Sequence, residues 1–458
     1  MTERLRLDGF TAERLSARDK GVPTRAVGMT TAEFLATEPE LSEFWTPLIV
    51  LDDEAMRQNA ATMSEWTHAR GLHLMPHGKT TMAPALWQRQ LDTGSLGITL
   101  ATMGQVRTAH SFGLDSIMLA NSVVDPRALT YLAGELADPA LRFVCWADSF
   151  DTVAAMEETL RSLALARPVD VCVELGMGGG RTGARSIAEA TAIAERIASS
   201  SVLRLAGVAG YEGSLAHDRS EAGLRVVREY LMRQIELHEG IQRLYDDGDV
   251  YVTAGGSAYF DLVAEVYAQA GASADAPPRP GGGRTLFTLR SGAYLIHDDG
   301  FYRGISPFDE AAPDAEGPRL RPAMRGIARV VSHPEPGLAL LDGGKRDFPY
   351  DEGLPVARQV AADLGEAWSP LTDTSVTALN DQHAFLRWGA DASNAAAGGS
   401  SREAGESADV APTGSAPIGS VVALGLSHPC TAFDKWRVLP VVDSWDSGRV
   451  VELVRTYF

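Results

Sequence analysis

Short apolar runs alternate with stretches of helical periodicity between about residue 70 and residue 290. Most of the runs are followed by apolar positions at three- to four-residue spacing, as in SIAEATAIAERIASS after the fifth run. This alternation predicts strands that are joined by helices. The runs are HLMPH (73–77), GITLAT (97–102), SIMLAN (116–121), RFVCWA (142–147), VDVCVEL (169–175), LRLAGVAG (203–210), DVYVTAG (249–255) and RTLFTL (284–289).

Near-continuous apolar strands that alternate with helices are typical of a parallel sheet buried on both faces. The number of runs matches the number of strands that closes a (β/α)8 barrel. An open doubly wound sheet is the alternative, but it leaves the seventh and eighth runs without an obvious role. We therefore predict an α/β fold in which residues 45–290 form a (β/α)8 TIM-type barrel, after an N-terminal extension over residues 1–44.

The pattern changes after residue 290. Segments such as RGIARVVSHPEPGLALLDGG and SVVALGLSHP are rich in strand and turn signals and poor in helical periodicity. They predict a C-terminal antiparallel β domain over residues 291–458. Ala, Gly and Ser dominate residues 388–417. Such a composition cannot bury enough apolar surface to become ordered, so this segment is predicted to be a flexible insertion.

Composition narrows the class of protein. Hydrophobic residues make up 45% and charged residues 22%, as in ordinary globular proteins. A net charge of -19 argues against nucleic acid or an anionic membrane as a partner. The start, MTERLRLDGF, lacks the apolar core of a signal peptide, and no apolar run approaches the roughly 20 residues of a membrane helix. Few cysteines suit a reducing compartment, so we expect a cytoplasmic enzyme or binding protein.

Two features lie where the strands of such a barrel end, which is where barrel chemistry is located. Lys79 follows the first strand in MPHGKT, and a desolvated lysine at that position is a competent amine nucleophile for a carbonyl. Gly255, Gly256 and Ser257 follow the seventh strand, where exposed backbone amides bind phosphate. A solvated loop lysine and a plain turn are the alternatives. Together the two features indicate pyridoxal phosphate.

The segment GGGRTG (178–183) offers a competing interpretation, because it matches the dinucleotide-binding pattern G-x-G-x-x-G. It follows the fifth strand of a repeating series rather than opening a βαβ domain. A dinucleotide site would also leave Lys79 and the glycine loop unexplained.

A possible metal-binding pair occurs near the C-terminus in SHPC, where His428 and Cys430 are two positions apart. Two ligands do not close a zinc shell, and histidine and cysteine beside apolar strands often only pack. A catalytic metal keeps coordination positions open, so the pair suits a catalytic site once the barrel holds a cofactor.

The motifs PHGKT, GVAGYEGSLAH, TAGGS and HPC together resemble the D-serine dehydratase and D-threonine aldolase family. These are fold-type III pyridoxal-phosphate enzymes with an alanine-racemase-like barrel and a metal-binding C-terminal β domain. The resemblance extends from about residue 45 to the end, except for the Ala/Gly/Ser insertion. It implies a homodimer and a D-amino acid substrate.

Several cofactor contacts are implied by the resemblance. Lys79 would form the Schiff base, Tyr211 would lie near the pyridine nitrogen, and Arg181 would lie near the phenolic oxygen. Gly255, Gly256 and Ser257 would hold the phosphate.

His428 and Cys430 would bind the metal that the family uses. In the family, His-x-Cys with zinc accompanies dehydration, and His-x-Asp with a harder ion accompanies aldol cleavage, since thiolate prefers zinc. The HPC motif therefore favours a D-serine dehydratase-like ammonia-lyase that releases a 2-oxo acid and ammonia from a D-3-hydroxy amino acid. In this interpretation Lys79 takes the α-proton. D-threonine aldolase-type cleavage and a non-catalytic pyridoxal-phosphate protein are the alternatives.

Three positions depart from the family's pattern. Met75 stands where arginine is common, and Glu212 lies near a position where histidine is common. The segment NDQHAF keeps His383 without the usual acidic residues. We expect these departures to concern the substrate rather than the cofactor.

Overall fold

A computed structural model describes residues 4–7, 9, 12–273, 276–309, 317–389 and 416–458. Most of the predicted insertion, residues 390–415, lies outside the described residues. The chain forms two compact units, neither of which is continuous in sequence. The first unit is Met1–Arg6, Ala60–Tyr294 and Ile305–Arg319, and the second is Leu7–Asn59, Leu295–Gly304 and Leu320–Phe458. Residues 45–59, which were predicted to open the barrel, are thus grouped with the second unit.

The α-helices of the described residues are α1 (Thr31–Leu35), α2 (Asp53–His68), α3 (Pro84–Asp92), α4 (Met103–Ser111), α5 (Pro126–Glu135), α6 (Phe150–Leu160), α7 (Ile187–Ala198), α8 (Glu221–Ile241), α9 (Phe260–Gln269) and α10 (Pro429–Phe433).

The strands of the described residues are β1 (Leu48–Asp52), β2 (His73–Leu74), β3 (Ile98–Leu100), β4 (Ser116–Ser122), β5 (Arg142–Ala147), β6 (Val169–Leu175), β7 (Leu203–Gly210), β8 (Val250–Ala254), β9 (Thr285–Leu289), β10 (Met324–Glu335), β11 (Leu338–Leu341), β12 (Val356–Ala361), β13 (Ser369–Pro370), β14 (Thr374–Leu379), β15 (Ala384–Trp388), β16 (Val421–Gly425), β17 (Val438–Val442) and β18 (Val450–Arg455).

The first unit is a parallel barrel. Its 8-stranded sheet has the order β2-β9-β8-β7-β6-β5-β4-β3, and each of the eight predicted runs contributes one strand. The two end strands are also joined, because the Leu96 amide donates to Leu74 O at 2.8 Å and the Thr99 amide donates to Pro76 O at 2.9 Å. A parallel bridge between His77 and Thr99 completes the closure. The predicted barrel is confirmed, and the open doubly wound alternative is wrong.

The barrel interior is filled by side chains rather than by solvent. One core cluster combines bulky and small residues from successive strands: Met75, Met118, Val144, Trp146, Cys172, Ala206 and Ala209. Cys145 and Cys172 are buried free thiols, and burial raises the pKa of both. Neither cysteine is therefore a nucleophile near neutral pH.

Polar caps start several of the barrel helices. The side chains of Ser149, Ser186 and Ser220 each accept a hydrogen bond from a backbone amide in the first turn of α6, α7 and α8. These caps satisfy amides that have no partner within the helix. The loops between the carboxyl ends of the strands and these helices contain predicted site residues, among them Arg181 after β6 and Tyr211 after β7.

The second unit contains a 10-stranded sheet with the main order β13-β12-β16-β10-β1-β17-β18, and β11, β14 and β15 form a branch from β10. Its described strand pairs are antiparallel except for β1 with β17. The predicted C-terminal antiparallel β domain is confirmed. Its centre is completed by β1, which precedes the barrel in sequence.

Within the described part of the chain, no helix combines the length and apolar content that crossing a membrane requires.

Candidate active site

Lys79 lies at the carboxyl edge of the barrel, in the 3-10 turn Gly78–Thr80 that follows β2. Trp87 donates its ring N–H to Gly78 O at 3.1 Å and so fixes this turn. A Cβ at Gly78 would lie 2.5 Å from a side-chain carbon of Ile98, so only glycine fits there. The Lys79 side chain is half-buried. The turn is thus held rigidly at the position where a reactive amine was predicted.

The glycine loop lies beside this turn across the end of β9. The His77 amide donates to Arg290 O at 3.0 Å, and the Arg290 amide donates to Ala254 O at 3.1 Å. The Ser291 hydroxyl then donates to the carbonyl oxygens of Gly255 and Gly256 at 3.2 and 3.1 Å. The ends of β2, β9 and β8 therefore form one continuous rim.

The amides of the glycine loop bind an internal carboxylate. Gly255 has a φ of +103°, a conformation that glycine adopts without strain. Its amide donates to Glu212 Oε2 at 3.0 Å, and the Gly256 amide donates to Glu212 Oε1. Glu212 is fully buried in the 3-10 turn Glu212–Ser214 after β7. Adjacent amides that bind both oxygens of a carboxylate form an anion-binding loop, and phosphate binding by this loop stays a prediction. A phosphate on the same two hydrogens would have to displace Glu212.

Tyr211 and Arg181 are brought together with this loop. The Arg181 guanidinium carbon lies 4.8 Å from the centre of the Tyr211 ring. A Cβ at Gly256 would lie 3.1 Å from a ring carbon of Tyr211, so the ring packs directly against the loop. Tyr230 holds the Tyr211 backbone, because the Tyr211 amide donates to Tyr230 Oη at 3.1 Å and that hydroxyl donates to Leu175 O at 2.6 Å.

Positive charge is concentrated at this rim. Burial lowers the pKa of His77 well below its usual value, and Lys79, Arg290 and Arg181 lower it further. His77 is therefore neutral near pH 7. Arg290 is fully buried, donates to Thr253 Oγ1 at 2.7 Å, and carries its guanidinium 4.8 Å from the Trp146 ring centre. Such an environment favours an anionic ligand.

The rim also carries a buried acidic residue, Glu174. Burial raises the pKa of Glu174 at the end of β6, and the hydroxyl of Thr182 donates to its carboxylate at 2.8 Å. Glu174, Arg181, Tyr211 and Tyr230 line a cavity of about 10 Å³, which is the space of a single water molecule.

The first unit fits pyridoxal phosphate. Lysine, tyrosine, arginine and an anion-binding loop supply the donors that the cofactor's aldehyde, ring and phosphate require. Two buried atoms, His77 Nδ1 and Arg290 Nε, have no hydrogen-bond partner among the described residues. Buried polar atoms without partners are costly, so they suit a site that receives a polar ligand.

The second unit carries the predicted metal pair. His428 precedes α10, Cys430 is its second residue, and the two side chains are hydrogen-bonded. The Nδ1 atom of His428 lies 2.6 Å from Asp351 Oδ2. Burial lowers the pKa of His428, but Cys430 and then Asp351 outweigh burial and raise it to about 9. A metal ion must therefore displace a proton from this pair.

The donor set around His428 is incomplete. Within the described residues, no group of three or more His, Cys, Asp or Glu side chains could hold a metal ion. A two-residue site leaves open positions for water and substrate, as catalytic metals require, so histidine with thiolate fits a zinc-like ion. Nearby, Asp298 is buried with Oδ2 unpartnered among the described residues, and burial raises its pKa to about 7.

The sequence did not assign Glu212, Arg290 or Asp351 to these sites. Glu212 was noted only as a departure from the family, and Arg290 and Asp351 were not singled out. Asp351 is 77 positions from His428, so no local spacing connects them. The residues predicted for the cofactor all lie in the first unit, and both predicted metal ligands lie in the second.

Comparison with known proteins finds one matching domain family and similar enzymes that act on D-amino acids. Residues 323–442 match the family profile of a putative serine dehydratase domain. The chain is 27% identical over 345 residues to a D-threonine aldolase of an Arthrobacter species, which covers 75% of this chain and 80% of that protein. It is 24% identical over 324 residues to a 3-hydroxy-D-aspartate aldolase of Paracoccus denitrificans (strain Pd 1222), which covers 69% of this chain and 76% of that protein.

Solved structures show the same fold. D-threonine aldolase from Filomicrobium marinum matches with a TM-score of 0.71 at 20% identity, covering 91% of this chain and 96% of that one. The chain is thus similar in sequence and in fold to the D-serine dehydratase-like and D-threonine aldolase family. D-threo-3-hydroxyaspartate dehydratase from Delftia sp. HT23 has the same fold. It matches with a TM-score of 0.66 at 21% identity, covering 91% of this chain and 99% of that one. Alanine racemase of Clostridium difficile 630 matches with a TM-score of 0.55 at 11% identity, covering 90% of this chain and 99% of that one. The barrel therefore has an alanine-racemase-like fold.

Proposed function

We propose that this protein is a pyridoxal-phosphate- and metal-dependent lyase that cleaves the Cα–Cβ bond of a D-3-hydroxy amino acid. The observation that carries the proposal is the cationic rim at the barrel's carboxyl edge. There Lys79 follows β2, Arg181 follows β6 and an anion-binding glycine loop follows β8, all at the carboxyl edge of the same barrel. Similarity to two aldolases over more than two thirds of the chain supports aldol cleavage over dehydration.

Several residues of the first unit would hold the cofactor. Lys79 would bind its aldehyde carbon through Nζ, and Tyr211 would lie near the ring nitrogen. Arg181 would lie near the phenolic oxygen, within reach because it stacks on the Tyr211 ring. The amides of Gly255 and Gly256, with Ser257, would hold the phosphate after Glu212 releases them.

His428 and Cys430 would hold the metal through an imidazole nitrogen and a thiolate. When both groups are bound, pyridoxal phosphate supplies an electron sink for charge at Cα and the ion supplies a Lewis acid for the β-hydroxyl. Transfer of the hydroxyl proton to a base would then let the Cα–Cβ bond break, giving an aldehyde, and return of a proton to Cα would give glycine. Removal of the Cα proton by Lys79 Nζ leads instead to loss of hydroxide.

Dehydration is the second candidate, and Cys430 favours it. One solved D-threo-3-hydroxyaspartate dehydratase has a cysteine replaced by alanine and is described as metal-free, and another has a histidine replaced two positions earlier. This spacing equals that of His428 and Cys430. A thiolate also suits zinc, which assists the departure of a poor leaving group such as hydroxide.

Product analysis with D-threonine separates the two reactions. Aldol cleavage gives glycine and acetaldehyde in equal amounts, whereas dehydration gives 2-oxobutanoate and ammonia. We expect glycine and acetaldehyde, dependent on added divalent metal and abolished by a chelator. Accumulation of 2-oxobutanoate would establish the second candidate. Binding of pyridoxal phosphate without turnover of any D-3-hydroxy amino acid would show a non-catalytic protein.

The lysine assignment has its own test. Lys79→Ala should lose the yellow absorbance of the lysine-bound cofactor and all activity. Lys345→Ala, at an exposed lysine of the second unit, is the matched control and should retain both. Persistence of the colour in Lys79→Ala would place the cofactor on another residue.

A further inference from the structure

Asp351 makes a direct contact with the proposed metal ligand His428. Its Oδ2 lies 2.6 Å from His428 Nδ1, so that ring nitrogen is engaged within the protein. An imidazole binds a metal through one nitrogen, and the hydrogen bond at the other nitrogen decides which one. With Nδ1 engaged by Asp351, Nε2 is the nitrogen through which the ring would bind an ion.

The carboxylate of Asp351 is itself fixed. Its Oδ1 accepts a hydrogen bond from the hydroxyl of Thr431 at 2.6 Å. Thr431 lies three positions after His428 on α10, so Asp351 binds two side chains of the same segment. The Ser427 hydroxyl donates to Gly353 O at 2.9 Å and adds a third link between the two segments.

The backbone at His428 leaves the ring dependent on these contacts. His428 precedes Pro429 in an extended conformation, with φ of -150° and ψ of 97°, and its side chain does not cap α10. No backbone group of the helix therefore orients the imidazole. The side chain of His428 is 24% exposed and that of Asp351 is 40% exposed. The pair lies at an accessible edge, where an ion can reach the ring.

We propose that Asp351 is the positioning residue of the metal site: it holds the imidazole of His428 so that Nε2 binds the ion. This inference rests on the proposed function only in taking His428 and Cys430 as the ligands. A carboxylate behind a histidine ligand fixes its tautomer and raises its basicity, and loss of such a partner weakens metal affinity about 10- to 100-fold. Asp351 acts through His428 and does not bind the metal.

The test uses the full-length, metal-free protein titrated with Co²⁺ and with Zn²⁺ in competition. Asp351→Asn should weaken both affinities about 10- to 100-fold. At saturation, its Co²⁺ spectrum should keep the wild-type thiolate charge-transfer and ligand-field bands. Glu352→Gln removes the same charge from the neighbouring exposed residue and should bind like wild type. Asp351→Glu, which keeps a carboxylate, should recover part of the affinity.

Each other outcome has a distinct meaning. Wild-type affinity in Asp351→Asn overturns the positioning role. A saturated spectrum that has lost intensity or shifted shows that Asp351 is itself a ligand, which also overturns the proposal. If wild type binds no Co²⁺, or His428→Ala binds as wild type does, the metal site of the proposed function fails and the inference fails with it. Circular dichroism of each metal-free variant verifies that folding is unchanged.

Discussion

Acid should destabilise the barrel through one buried histidine, His238 on α8. Its ring is 4% exposed and Nδ1 lies 3.0 Å from the hydroxyl of Tyr245. The ring also meets the edge of Phe287, with ring centres 6.4 Å apart. Burial, and then the charge of Arg279, lower its pKa from 6.5 to about 4. The folded protein therefore resists protonation at this position.

The sign and size of the effect follow from that shift. The folded pKa lies below the unfolded pKa, so the stability contributed by neutral His238 is complete above pH 6.5. It is lost as the pH falls from 6.5 towards 4, because the unfolded chain then binds a proton that the folded chain rejects. Each pKa unit corresponds to about 1.4 kcal/mol, so the whole effect is about 3 kcal/mol and most of it is lost by pH 4.5.

The assay is urea unfolding, followed by circular dichroism, at several pH values between 7.5 and about 4.5 at constant ionic strength. His238→Gln keeps a polar group beside Tyr245 but has no proton to gain. Its free energy of unfolding should fall less on acidification than that of wild type, by about 2 to 3 kcal/mol at the lowest pH. His68→Gln, at an exposed histidine of the same unit, controls for the loss of an imidazole. Parallel curves for wild type and His238→Gln would refute the argument.

Three further predictions concern the barrel and its rim. Gly207 in β7 has a φ of +133°, and a Cβ there would lie 1.9 Å from Tyr251 O, so Gly207→Ala should lose at least about 3 kcal/mol of unfolding free energy. Gly134→Ala, where no atom lies within 4 Å of the added Cβ, should be neutral or slightly stabilising in the same measurement. Tyr230→Phe leaves Leu175 O and the Tyr211 amide without their hydrogen-bond partner, so it should lower the free energy of unfolding by about 1–3 kcal/mol. It should also weaken pyridoxal-phosphate binding, and unchanged affinity would contradict the support assigned to Tyr230. Glu212→Gln can accept from only one of the two glycine amides and carries no charge, so it should bind pyridoxal phosphate about tenfold more tightly by absorbance titration. Equal or weaker binding would show that the phosphate binds elsewhere.

The barrel strands were predictable because their signal is local. Each strand is buried on both faces, so an apolar run marks it directly in the sequence. The first strand is shorter than its apolar run, since β2 covers only His73–Leu74. Pro76 has no amide to donate to a neighbouring strand, and the chain enters the Lys79 turn immediately afterwards.

The place of β1 was not predictable from local pattern. Leu48–Asp52 is fully buried and, apart from Asp52, apolar, and in sequence it directly precedes the barrel. In the structure it pairs with residues 324–327 and with Val441 and Val442. Pairing at such separations depends on the packing of the whole sheet, and one strand's composition does not reveal its partners.

The site residues likewise divide into those that a local sequence pattern locates and those that only the tertiary structure brings into the site. Lys79 and the glycine loop were found because they follow strands whose ends the pattern locates. Glu212 occupies the amides of that loop only because β7 and β8 are neighbours in the barrel. Asp351 is likewise connected to His428 by a loop contact that spans 77 positions. Residues that act through a tertiary hydrogen bond leave no spacing to recognise.

The identity of the metal and the identity of the reaction are separate questions in this protein. Cys430 indicates a zinc-like ion because thiolate is a soft ligand, but a Lewis acid at the β-hydroxyl assists both reactions. The outcome depends on which proton the protein removes: the hydroxyl proton for cleavage, or the Cα proton for dehydration. Lys79 is the candidate base for the Cα proton only. A Cys430→Asp variant, which hardens the donor set, should therefore change metal preference from Zn²⁺ towards Mn²⁺ without changing the products formed from D-threonine. A change from acetaldehyde to 2-oxobutanoate, or the reverse, would show that the second ligand itself decides the reaction.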